Sequence, residues 1–141
     1  MNNLELFFKQ NAIEKENIKC VVSNRYQDEN QNPLEWELKA ITASEDTILR
    51  EKCTGVAEVP GKKGQFMPKF NTTEYMSMLA AASVLYPELG NAALQDSYGV
   101  NNKLDLLKAM LLPGEFQDLL TKIQEINGYK SFEELVEEAK N

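Results

Sequence analysis

The side chains that could do chemistry in this sequence are few, because it contains no histidine and only two cysteines, Cys20 and Cys53. Without a histidine, neither a Ser-His-Asp site nor a Cys-His site can be built from this chain alone. Two widely spaced cysteines also do not supply the four ligands of a structural zinc site. We interpret both as reduced, buried thiols of a cytosolic protein, and we expect neither a metal nor a cofactor.

Pairs of carboxylates, as in glycosidases, are the remaining catalytic alternative. The acidic residues lie mostly at predicted helix starts and on polar faces, where capping and solvation explain them. Asp96 is the carboxylate to inspect, although a local hydrogen bond near a helix end is its simpler role. The Gly-Lys-Lys-Gly run at 61–64 does not fit the phosphate-binding pattern G-x-x-x-x-G-K-[ST] and is interpreted as an exposed turn. The sequence predicts that the protein is not an enzyme.

The charge of the chain argues against nucleic acid as a partner. The formal net charge is -7, and residues 71–141 hold five Lys or Arg against eleven Asp or Glu. Such an acidic half repels phosphate backbones. No run approaches the ~18 apolar residues of a membrane helix, and the N-terminus lacks the basic start and apolar core of a signal peptide. We expect a cytoplasmic protein that binds neither nucleic acid nor membrane.

The hydrophobic pattern predicts an α+β fold. An N-terminal α+β lobe at 1–70, with a small antiparallel sheet and short helices, is followed by a small helical bundle at 71–141. At the start of the first lobe, Leu4, Phe7 and Phe8 have the spacing of one helix face. They predict a short helix held in place by the two phenylalanines. A frayed end is the alternative, because so short a segment needs tertiary contacts to form a helix.

Alternating apolar and polar residues predict an antiparallel β-hairpin at 18–42. Trp36 lies on the inward face of this pattern, which favours a core position over an exposed ligand platform. A capping box in Thr42–Glu45 predicts a helix over 44–53. The following stretch, 56–70, is expected to be the least regular part, with two short extended pieces on either side of the exposed turn. Pro68 restricts the second piece to an edge strand. A partner contact in this stretch stays open.

The second lobe is predicted to consist of helices joined by short links, which favours antiparallel neighbours. The helices are expected at about 72–86, 91–97, 103–112, 114–127 and 131–140. The first is apolar or small around most of its circumference, so we interpret it as the buried central helix, with an exposed partner-binding face as the alternative. The last has an apolar stripe and a glutamate-rich side, and either docks on the core or forms a detachable acidic arm.

Leucine- and methionine-rich helix faces are the candidate partner-binding surface, because such faces cover apolar stripes of another helix. The same side chains are core residues in the alternative interpretation, which we favour for at least half of the leucines. The candidates are Met76, Leu104, Leu107, Met110, Leu111, Phe132, Leu135 and Val136.

Four short pieces between 91 and 128 occur in a distinctive order: L-Q-D-S-Y-G-V, L-L-K-A-M-L, P-G-E-F and Q-E-I-N-G. In this order and at this spacing they resemble the XkdN-like tail assembly chaperones of long-tailed phages and related prophages of Gram-positive bacteria. The motif residues are Gln95, Asp96, Ser97, Tyr98, Gly99, Pro113, Gly114, Glu115, Asn127 and Gly128.

The resemblance implies a non-catalytic assembly factor. Such proteins bind the long helical tape-measure protein, keep it soluble and help to recruit tail-tube subunits. They work in the cytoplasm of the bacterial host and are absent from the mature virion. The alternative is a structural tail or baseplate accessory protein that stays in the particle. A homo-oligomer is also open.

Overall fold

The computed structural model describes residues 2–130 together with Glu137 and Ala139. The predicted helix at 131–140, with Phe132, Leu135 and Val136, therefore falls almost wholly outside the described residues. No helix in the described part of the chain is both long enough and apolar enough to span a membrane.

The structure confirms the α+β fold. Two short 3-10 turns, Glu5–Phe7 and Lys9–Asn11, precede the regular elements. In chain order these are β1 (Ile18–Cys20), β2 (Trp36–Leu38), α1 (Ala43–Lys52), β3 (Thr54–Glu58), β4 (Phe66–Phe70), α2 (Thr72–Ser83), β5 (Val84–Tyr86), α3 (Ala92–Ser97), α4 (Lys103–Met110) and α5 (Pro113–Ile126).

The predicted N-terminal helix is wrong. Leu4 is 69 % exposed and Phe7 is 83 % exposed, and the segment forms only two short 3-10 turns. None of residues 2–17 is buried. A helix this short needs tertiary packing to persist, and the phenylalanines find no core here.

The predicted hairpin is confirmed, and it is part of a larger sheet. Strands β1 and β2 are antiparallel, with Cys20 opposite Trp36. Strand β5 pairs antiparallel with the other edge of β2, with Leu38 opposite Val84. Because β5 follows directly after α2, this pairing joins the two predicted lobes in one three-stranded sheet.

The predicted helix over 72–86 is too long, because α2 ends at Ser83 and the next three residues form β5. Tyr86 precedes a proline, which disfavours the helical conformation at that position. The extended residues then satisfy their backbone groups on β2 instead of continuing the helix. The buried central position of α2 is confirmed, since it packs against α1, α4 and α5.

The two extended pieces predicted within 56–70 are present, and they pair into a regular two-stranded ribbon instead of an irregular stretch. Strands β3 and β4 pair antiparallel from Thr54 opposite Phe70 to Glu58 opposite Phe66. Gly61 and Gly64 both have positive φ and form the exposed turn that the sequence predicts between them. Both strands are almost entirely exposed, so the ribbon adds little to the core.

Side-chain caps fix the starts of α1, α2, α3 and α4. The capping box at Thr42 and Glu45 is present, and Asn71, Asn91 and Asn102 accept backbone N–H groups at the starts of α2, α3 and α4. These helices enclose one hydrophobic cluster beneath the sheet. Its members include Trp36, Leu38, Tyr75, Leu79, Leu106, Leu107, Leu119, Ile123 and Ile126.

Candidate partner-binding surface

Most of the described candidates for partner binding belong to the core. Leu107 is fully buried, and Met110 and Leu111 are 4 % and 8 % exposed. Leu104 and Met76 are half-buried. Burial accounts for the apolar type of these side chains, and their role in partner binding stays a prediction.

The motif residue Glu115 ties the start of α5 to the N-terminal half of the chain. Arg25 Nη2 donates to Glu115 Oε1 at 2.8 Å and to the carbonyl oxygen of Met110 at 2.8 Å. The same carboxylate accepts the backbone N–H of Leu112 at 2.8 Å. The Arg25 hydrogen bond is the main reason that the pKa of Glu115 falls from 4.5 to about 2. This motif position is therefore a joint between helix ends and the loop after β1.

Tyr98 of the motif makes a second joint. Its hydroxyl lies 2.9 Å from the hydroxyl of Tyr26, which donates to the carbonyl oxygen of Met110 at 2.6 Å. Burial, followed by the hydrogen bond to Tyr98, raises the pKa of Tyr26 to about 12. The Tyr26 hydroxyl thus stays protonated at neutral pH and holds α3 against the end of α4.

Asn127 of the motif makes a third joint. Its side-chain oxygen accepts the Ile41 N–H at 2.8 Å, and its Nδ2 donates to Ser83 Oγ at 3.0 Å. This side chain connects the end of α5 to the strand-to-helix link after β2 and to the end of α2.

The other motif residues shape turns and helix ends. Gln95 Nε2 donates to the carbonyl oxygen of Leu89 at 2.8 Å. Gly99 and Gly128 adopt positive φ after α3 and α5, a conformation that favours glycine. Pro113 occupies the first turn of α5, followed by Gly114.

Asp96 lies near the end of α3 but does not make the local hydrogen bond that its position predicts. It is exposed, and its side chain has no hydrogen bond to any other described residue, whereas its neighbour Ser97 caps back onto the Leu94 carbonyl at 2.7 Å. Across the described ranges, no group of three or more Cys, Asp or Glu side chains could hold a metal ion. Both cysteines are free thiols, and burial raises their pKa.

A polar cluster joins α1, α2 and the end of α5. Asp46 accepts hydrogen bonds from the Tyr75 hydroxyl and, at 2.8 Å, from Arg50 Nε. Arg50 Nη2 also donates to the Tyr129 hydroxyl at 3.0 Å. The members of this cluster satisfy one another, so we interpret it as a structural junction.

An apolar groove, which we call the tyrosine groove, opens between the β2–β5 edge and α3. It has a volume of about 280 Å³, and Tyr26, Leu34, Trp36, Tyr86, Leu94 and Tyr98 form most of its lining. Ligand sites are typically concave and mostly apolar with a few polar groups. The sequence pointed to Tyr98 as a motif residue but not to its groove partners, because they come from distant segments of the chain.

A second apolar surface is the β3–β4 ribbon. Val56 is 75 %, Phe66 is 65 % and Met67 is 46 % exposed. By register, Val56, Phe66 and Phe70 share one face. Residues 54–70 carry three lysines and one glutamate, so the ribbon is basic in an otherwise acidic chain.

The comparison with known proteins gives the class of this protein. The chain belongs to the XkdN-like family of phage tail assembly chaperones, because the family profile "Phage XkdN-like tail assembly chaperone protein, TAC" matches residues 4–140. This is a family of assembly chaperones, not of enzymes.

Two similar proteins come from Bacillus subtilis strain 168. The chain is 30 % identical over 141 residues to the phage-like element PBSX protein XkdN, covering 99 % of this chain and 94 % of that protein. It is 28 % identical over 141 residues to the protein YqbN, covering 99 % of this chain and 93 % of that protein. A crystal structure of the protein YqbN has the same fold, with a TM-score of 0.78 over 92 % of this chain and 99 % of that chain at 22 % identity.

Proposed function

We propose that this chaperone binds the tape-measure protein of its phage tail, keeps it soluble and assists the assembly of the tail tube. The main support for this proposal is the match to the family profile over nearly the whole chain. The protein acts in the cytoplasm of the bacterial host, without catalysis, and leaves before the virion is complete. The tail-tube subunit is a second partner.

The physical problem of the tape-measure protein explains what such a chaperone must do. A long helical protein that has not yet assembled exposes apolar stripes, and exposed apolar stripes aggregate. A second protein can cover them with an apolar groove or face of its own. The tyrosine groove and the β3–β4 ribbon are two such surfaces on the described chain.

The charge of the chain supports the same role. Its net charge of -7 keeps a complex soluble and attracts basic segments of a partner.

Co-expression tests the proposal. The tape-measure gene of the same tail cluster is expressed alone, with this chain, and with an unrelated acidic protein of similar size. We expect soluble tape-measure protein only with this chain, and co-purification of the two. Equal insolubility in all three cultures contradicts the proposal.

Departure from the virion is tested separately by mass spectrometry of purified particles. We expect no peptides of this chain above the background of host proteins. A stoichiometric amount in the particle would instead favour a tail or baseplate accessory protein.

A further inference from the structure

We infer that the tyrosine groove binds a short segment of the partner in which apolar side chains lie next to a lysine or arginine. The tape-measure protein is the source of this segment only if the proposed function holds. The chemistry of the groove itself is independent of that identity.

The apolar floor of the groove is open and is held by rigid supports. Leu34 is 39 % exposed and Tyr86 is 58 % exposed at its mouth, while Trp36 is 2 % exposed at its base. The paired hydroxyls of Tyr26 and Tyr98 fix one wall to the Met110 carbonyl. A site that is already ordered loses less conformational entropy on binding. The groove volume of about 280 Å³ is just below the ~300–1,000 Å³ that is typical of ligand sites. The groove therefore has room for a few side chains but not for a whole helix.

Trp36 adds an unused hydrogen-bond donor. Its side chain makes no hydrogen bond with another described residue. Trp36 lines both the groove and an adjoining hollow. A buried aromatic body with a free polar edge suits an interface anchor.

Glu35 gives the site its charge preference. It is exposed, lines both the groove and the hollow, and pairs with no other residue in the described part of the chain. Among the described residues lining the groove there is no lysine or arginine. In the hollow, Lys19 lies 4.0 Å from Glu37, so Glu35 remains the uncompensated charge. A cation beside the apolar residues of the occupant would complement it.

The ribbon is a poorer site for the same segment. Lys62, Lys63 and Lys69 outnumber Glu58 there, and like charges disfavour a basic partner. Phe66 is an exposed apolar side chain on this basic ribbon. A substitution there therefore controls for the loss of exposed apolar surface away from the acidic groove.

Model peptides test the groove without using the tape-measure protein. A helical leucine–lysine peptide and a leucine–glutamate peptide of the same length are titrated into the full chain. Binding is followed by emission of Trp36, the single tryptophan, and independently by calorimetry. We expect the lysine peptide to bind and shift the emission, and the glutamate peptide to bind at least about tenfold more weakly, or about 1.4 kcal/mol.

Variants locate the binding. Leu34→Asp and Glu35→Lys both change exposed side chains, and circular dichroism confirms their folding. Each substitution should lower the affinity for the lysine peptide at least tenfold. Glu35→Lys should also raise the affinity for the glutamate peptide. Phe66→Asp and Glu29→Lys are the controls, and their affinities for both peptides should stay within twofold of the affinities of the unchanged chain. Equal binding of both peptides, unchanged binding in both groove variants, or loss confined to Phe66→Asp overturns the inference.

The same variants separate this inference from the proposed function. If the tape-measure protein is solubilised equally by the unchanged chain and by both groove variants, the function stands and the groove is wrong as its site. If the lysine peptide binds the groove as expected but the tape-measure protein stays insoluble, the groove stands and the proposed function fails.

Discussion

Arg25 and Glu115 form an ion pair at 2.8 Å although ninety positions separate them in the sequence. The pair fastens the P-G-E-F piece of the family motif to the loop after β1. Tyr98 and Asn127 of the motif make comparable long-range hydrogen bonds, to Tyr26 and to Ile41. Much of the motif thus maintains the fold.

The Arg25–Glu115 pair predicts a pH-dependent contribution to stability. Glu115 has a pKa of about 2 in the folded chain and 4.5 ordinarily, chiefly because Arg25 donates to it. Its stabilising effect is fully present above about pH 4.5 and is lost as the pH falls towards about 2. We expect Glu115→Gln to be less stable than the unchanged chain at neutral pH, with the difference shrinking over that range in urea titrations. Glu29→Gln is the exposed control. A difference that is independent of pH would contradict the prediction.

Removal of the Asn127 side chain should destabilise the fold. Asn127→Ala leaves the Ile41 N–H and the fully buried Ser83 hydroxyl without their partner. An unsatisfied buried group costs about 1–3 kcal/mol, and we expect a loss in that range in the free energy of unfolding. Asn24→Ala, at an exposed position, should change it by less than about 0.5 kcal/mol. Equal effects of the two substitutions would show that the joint is unimportant.

Leu107 should behave as a core residue. It is fully buried, whereas Ile48 is 53 % exposed on α1. Leu107→Ala should lower the free energy of unfolding by about 2–5 kcal/mol, and Ile48→Ala should change it by less than about 0.5 kcal/mol. Leu107→Asp should prevent folding, because it buries an unpaired charge. A folded Leu107→Asp variant that has lost only partner binding would instead support the original partner-binding prediction.

Alanine substitutions at two motif glycines should change the free energy of unfolding in opposite directions. Gly99 has a φ of +68°, whereas Gly114 lies within α5 without positive φ, and a Cβ at either position meets nothing within 4 Å. Gly99→Ala should destabilise the chain by roughly 1–2 kcal/mol through backbone strain. Gly114→Ala should stabilise it by about 0.4–1 kcal/mol, because alanine restricts the unfolded chain. Thermal unfolding of both variants measures the signs, and a stabilised Gly99→Ala variant would refute the conformational argument.

Local signals in the sequence predicted the elements that local interactions determine. The predicted cap at Thr42 is present because its side chain and the backbone N–H of Glu45, three residues later, decide where α1 begins. The inward position of Trp36 followed from strand alternation for the same reason.

The differences arise from interactions between distant segments. Val84 and Tyr86 continue an apolar helical pattern, and only their pairing with β2 makes them a strand. The tyrosine groove is lined by residues near 26–36, 86 and 94–98. No local sequence pattern predicts that these segments lie next to one another. Leu106 is fully buried but is not among the apolar residues that the sequence pattern assigns to α4. The buried face of α4 is wider than a single row of residues at helical spacing, so it also includes Leu106.

We propose that this chain keeps the tape-measure protein from aggregating. The most direct measurement is light scattering after tape-measure protein is diluted from denaturant into increasing amounts of the folded chain. We predict that scattering falls with added chain and is abolished at a fixed stoichiometry, and that an unrelated acidic protein has no such effect. Scattering that is the same with this chain as with the unrelated protein, at every ratio, would contradict the account.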